Sequence, residues 1–128
     1  MMQRIYLIPD SEGKGSFDEE KLREAIQSIA RVRNWRDGES SLDPDGTLFE
    51  CDLECSDKDI EAIPIEVRKD LKSVSIGAYH EDGLKAALHI QGRYGKGVFA
   101  FSEESSPDVV ALSAIRSPNE LAQKLKLR

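Results

Sequence analysis

The chain has 128 residues, which at about 150 residues per domain is one domain with no room for two. Its 24 acids and 18 bases give a net charge of −6, with 39% hydrophobic and 33% charged residues. This excludes collagen-like, low-complexity and disulfide-scaffold classes, and an acidic balance argues against a nucleic-acid-binding domain.

The pattern reads as follows in chain order. Gln3 to Ile8 is a short β-branched and aromatic run closed by Pro9, which predicts a strand. Ser16 and Glu19 form a capping-box pair, and Leu22, Ala25, Ile26, Ile29 and Val32 follow at helical spacing, so a helix is expected over 17–33. Residues 34–46 hold Asp-Gly and Asp-Pro-Asp-Gly turn chemistry and read as a loop. Thr47 to Cys55 alternates: Phe49, Cys51, Leu53 and Cys55 on one face, Glu50, Asp52 and Glu54 on the other. That period of two predicts a half-buried strand.

Ser56 is placed to cap a short helix ending at Pro64, and 66–72 is ambiguous. Val74 to Tyr79 reads as a strand. Asp82 to Tyr94 reads as the second main helix, preferred to a strand over 84–90, and glycines 92, 95 and 97 end it. Val98 to Phe101 is a strand. Residues 109–115 read as another strand, with a helix as the competing assignment. Ser117-Pro118-Asn119-Glu120 opens a final helix running to about Lys126. The order fits an α+β domain over 1–128: a ferredoxin-like split βαβ sandwich (βαββαβ) with an appended C-terminal strand and helix. That architecture selects no function by itself.

The first apolar run is too short for a signal-peptide core, and no stretch approaches a membrane span, so a cytoplasmic protein without membrane association is expected. Four strand steps separate the Cα atoms of Cys51 and Cys55 by roughly 13 Å, too far for a disulfide or a shared metal. They read as small buried apolar groups in a reducing compartment, and a Cys–His nucleophilic pair has no local signature.

Charge carries the main functional signal. Asp37 to Glu61 holds ten acids and one base, Lys58, a net of −9, while the remainder carries 14 acids and 17 bases, or +3. Glu50, Asp52 and Glu54 recur at roughly 6–7 Å along one strand face, where their repulsion costs stability unless a cation or a basic partner relieves it. The expected function is therefore a non-catalytic protein-binding module, of inhibitor or immunity type, docking a basic protein through Asp43, Asp45, Glu50, Asp52, Glu54 and Trp35. The alternatives are a small divalent-metal hydrolase, using Asp10 with Asp52 or Glu54, and a small-ligand sensor using the loop 10–16. A homodimer stays open.

Other motifs are weak. Asp43, Asp45 and Gly46 partly match a calcium loop, but Ser41 and Asp52 stand where Asp and Glu are required. The loop 10–16 precedes a helix as an anion-binding turn does, yet lacks the Walker glycine and carries Asp10 and Glu12. Arg31, Arg33, Trp35 and Arg36 form the one basic–aromatic cluster, and its arginines are expected to serve the C-terminal end of the first helix and to pair with local acids. His80 and His89 match no metal-ligand spacing, so no cofactor or metal site is expected.

Overall fold

The computed structural model describes residues 3–38, 46–78 and 80–127. In chain order these form β1 (Arg4–Ile8), α1 (Glu19–Gln27), β2 (Val32–Asp37), β3 (Thr47–Leu53), β4 (Ile63–Arg68), β5 (Val74–Gly77), α2 (Glu81–Tyr94), β6 (Phe99–Ser102), β7 (Val110–Ala111), a 3₁₀ turn (Leu112–Ala114) and α3 (Pro118–Lys124). The seven strands make one antiparallel sheet in the order β2-β3-β4-β5-β1-β6-β7.

Register explains how the sheet gets one apolar face. Cys51, Ile65, Ile76, Ile5 and Ser102 line up across five strands, and beside them run Phe49, Val67, Val74, Leu7 and Ala100. All ten are buried. Nine of them share one core cluster with Leu22, Ala25 and Ile26 of α1, Leu84, Ala87 and Ile90 of α2, and Leu121 of α3. The tenth, Ser102, donates its hydroxyl to the Leu125 carbonyl. The helices thus cover this face. On the other face Arg36, Glu50, Glu66, Ser75, Tyr6 and Phe101 form the corresponding row, polar at the β2 end and aromatic at the β6 end, where Tyr6 and Phe101 stack at 5.2 Å.

The α+β class holds, but the sheet order differs from a βαββαβ sandwich. β5, α2 and β6 do form a split βαβ unit straddling β1. β2, however, lies at the sheet edge, separated from β5 by the β3–β4 hairpin. Two segments account for the difference. Residues 32–37, expected as helix end and loop, are strand β2. Residues 56–63, expected as a short helix, are not helical, and Ile63 opens β4. Pro64 is tolerated there because the β5 ladder begins at Ile65, so its missing N–H interrupts no pairing with β5.

Helix ends shift for local reasons. Phe17 is buried, so α1 starts later, with Asp18 rather than Ser16 accepting the Lys21 N–H at 3.1 Å. It ends at Gln27, and Arg31, with φ of 71°, turns the chain into β2. α2 keeps its predicted span and ends on Gly95 in the left-handed region, φ 80°. The 109–115 segment is a two-residue strand followed by the 3₁₀ turn. α3 starts on the predicted Ser117 cap. Among the described residues, no helix is long and apolar enough to cross a membrane.

Candidate functional site

The acidic strand is flanked by its own cations. β2 is irregular between Arg33 and Arg36, where Asn34 takes a left-handed φ of 57°. The irregularity lets both arginines face the carboxylates of β3, Arg33 opposite Asp52 and Arg36 opposite Glu50. Arg36 Nε donates to Glu50 Oε1 at 3.1 Å, and its two terminal nitrogens reach the two oxygens of Asp52 at 3.3 Å each. Asn34 Nδ2 donates to Asp52 Oδ2 at 3.1 Å, and Arg33 pairs with Glu54 at 3.5 Å. The repulsion expected along this strand is relieved within the chain.

The Arg36 hydrogen bonds, then Asn34 and the Arg33 charge, outweigh burial and hold the Asp52 carboxyl below its usual value. A carboxylate with a depressed folded pKa stabilises the fold above its unfolded pKa of about 3.8, and that contribution disappears as pH falls through the lower folded value. Asp10 and Asp82, also depressed, act in the same direction. Stability to urea should therefore fall on acidification below about pH 4. Asp52→Asn should be less stable than the parent at pH 7, with a gap that narrows below pH 4. A gap of unchanged size at pH 3 would mean that Arg36 gains nothing from the charge on Asp52.

Trp35 lies on the opposite face from these acids. It is half-buried and stacks on Phe49 at 4.9 Å and 17°, while the Arg23 guanidinium sits 4.2 Å from the centre of the same ring. Asp43 and Asp45, with the first five positions of the calcium-like loop, lie outside the described residues; Asp52, the last position of that pattern, is engaged by Arg36 and Asn34. Asp10 does not join Asp52 or Glu54, because β4 and β5 stand between β1 and β3. Its carboxylate instead accepts the backbone N–H groups of Glu12, Lys14 and Gly15. Those are the groups an anion-binding loop would need, so the 10–16 turn is already filled by its own aspartate.

A second constellation is one the spacing gave no sign of. β3 and β5 run in the same direction, so the residues just after each emerge at the same end of the sheet. Cys55, after β3, there meets His80 and Asp82 at the start of α2, with a donor atom of each within 4.8 Å of the others. His80 caps α2: its Nδ1 accepts the Asp82 N–H at 3.1 Å and lies 3.4 Å from Asp82 Oδ2. Asp82 Oδ2 also accepts the Ser56 N–H at 2.6 Å. Burial opposes ionisation of Asp82, but the Ser56 hydrogen bonds, the His80 side chain and the Cys55 thiol together keep its carboxyl below the usual range. His80 lines a cleft of about 510 Å³ with Leu84 and Gln123, and Asp82 lines another of about 340 Å³ with Glu54 and Lys85.

The other candidates are quieter. Cys51 is a free thiol whose burial, reinforced by Asp52 and opposed by Arg36, pushes its pKa up to about 12. At neutral pH it is a protonated core group rather than a nucleophile. His89 shares a 2.7 Å hydrogen bond with the Ser28 hydroxyl. Comparison with family models, curated proteins and solved structures gave no match. The fold and sites thus define an α+β chain with a charged sheet edge and a separate Cys–His–Asp cluster.

Proposed function

We propose that this chain is a non-catalytic protein-binding module that docks a basic protein on the acidic edge formed by β2, β3 and the residues that follow β3. One observation carries the reading. Even with the β2 arginines counted, residues 31–61 hold ten acids and four bases, a net of −6. The remainder holds 14 of each, so the whole net charge resides in this stretch of the sequence. Arg36 and Arg33 fix the β3 carboxylates in place without neutralising the region. Glu54, Asp57, Asp59 and Glu61 add exposed acids where the chain leaves β3. Asp43 and Asp45 contribute charge by sequence. Trp35 faces the helix side, so the carboxylates Glu50, Asp52 and Glu54 are the contact groups. An inhibitor or immunity-type protein, meeting a basic surface by fast, salt-sensitive association, is the form this takes. We also read the fold as a ferredoxin-like sandwich widened by the β3–β4 hairpin, a reading supported by the β5–α2–β6 unit around β1.

The immobilised chain should retain a basic protein at low salt and release it as the Debye length falls from about 10 Å at 0.1 M to about 3 Å at 1 M. The Glu50→Gln/Asp52→Asn/Glu54→Gln variant should lose that protein. A Glu24→Gln/Glu103→Gln/Glu104→Gln variant, with the same change in net charge, should keep it. Equal retention by both variants, or equal loss, would overturn the reading.

A further inference from the structure

We propose that Cys55, His80 and Asp82 form a binding site for a divalent transition metal of the zinc class, separate from the acidic edge. The three side chains supply thiolate sulfur, imidazole nitrogen and carboxylate oxygen, the donor set that tetrahedral zinc accepts and that magnesium and calcium do not favour. The nitrogen and oxygen are spaced as two ligands of one ion, and the sulfur needs only a small shift to join them. Two nitrogen or oxygen ligands at about 2.05 Å from a tetrahedral ion are about 3.3 Å apart. His80 Nδ1 and Asp82 Oδ2 are 3.4 Å apart, and all three donor atoms lie within 4.8 Å of one another.

The local chemistry is already arranged for it. The ring nitrogen that accepts the Asp82 N–H, Nδ1, is the one nearest the carboxylate. The Ser56 N–H holds Asp82 Oδ2 in place at 2.6 Å, as outer partners of metal ligands do. Binding exchanges the Asp82 N–H on Nδ1 for the ion and releases the Cys55 thiol proton to solvent. One thiolate, one carboxylate and a neutral imidazole then balance the +2 charge, which suits a half-buried position. Cys55 itself is only 8% exposed, so the sulfur is shielded from bulk water, while the clefts lined by His80 and by Asp82 give access. Three protein ligands leave a fourth position for water or a ligand.

The test is a titration of the metal-free chain with Co²⁺, followed by displacement with Zn²⁺. The expected result is one Co²⁺ per chain, visible bands of a tetrahedral ion and a near-ultraviolet thiolate-to-cobalt band, all removed by Zn²⁺. Cys55→Ser should abolish the near-ultraviolet band, Cys51 being the remaining thiol. His80→Asn, which keeps a capping side chain, and Asp82→Asn should weaken binding by more than the roughly 10–100-fold that a lost outer partner costs. Far-ultraviolet circular dichroism and thermal melting establish that each variant is folded. Glu50→Gln/Asp52→Asn should leave the titration unchanged, which separates this site from the docking edge. Absence of the thiolate band in the folded parent, or a band that survives Cys55→Ser, would overturn the proposal.

Discussion

Phe49→Ala should lower stability by about 3–5 kcal/mol, the cost of removing a fully buried aromatic ring and leaving a cavity. Phe49 is 0% exposed on the helix-covered face, stacked on Trp35 and topped by Arg23. Against a total of about 5–15 kcal/mol, such a loss leaves the domain marginal. Trp35 is the single tryptophan, so its emission reports the site directly. Urea unfolding followed by fluorescence should show a lower midpoint and a red-shifted folded baseline. A loss below about 1 kcal/mol with unchanged emission would mean that Trp35 and Arg23 close over the space, and that the ring stack contributes little.

The second large effect is at Gly83, where two opposing terms meet. Alanine in a helix interior is favoured over glycine by about 1 kcal/mol. At Gly83, however, a Cβ would stand 2.1 Å from the Gly77 carbonyl oxygen of β5, a backbone atom with little room to move. The clash wins, and Gly83→Ala should cost about 1–3 kcal/mol by forcing the first turn of α2 off the sheet. Gly92, later in the same helix, has nothing within 4 Å of its Cβ position. Gly92→Ala should therefore stabilise by about 0.4–1 kcal/mol. Thermal melting of the two variants decides the matter: shifts of the same sign would mean that α2 does not approach β5 as closely as described. Because His80 and Asp82 sit in the same turn, Gly83→Ala also tests how firmly the sheet positions that cluster.

Much of the architecture is legible in local pattern. The alternation of 47–55 placed Phe49, Cys51, Leu53 and Cys55 inside and the acids outside, as observed. Ser117-Pro118 and Gly95 marked helix ends that the structure keeps. β2 was hidden because its irregularity at Asn34 breaks the alternation that marks a strand. Ile29 and Val32 continued a helical spacing, yet Ile29 is buried in the turn after α1 and Val32 opens β2. Pro64 reads as a helix stop, and only the short reach of β5 explains its place in a strand.

The sequence by itself determined the class, the sheet faces and the location of the charge, because each depends on residues close together along the chain. Only the tertiary structure decided which charges meet. Arg36 faces Glu50 because β2 folds back on β3, fourteen residues on, and Trp35 turns to the helices because the strand is irregular there. Cys55 meets His80 and Asp82 because two strands of like direction, with β4 between them, end at one side of the sheet. Pairing between strands is a long-range event whose free energy lies in burial and register, and neither is written in the local spacing of the residues it joins.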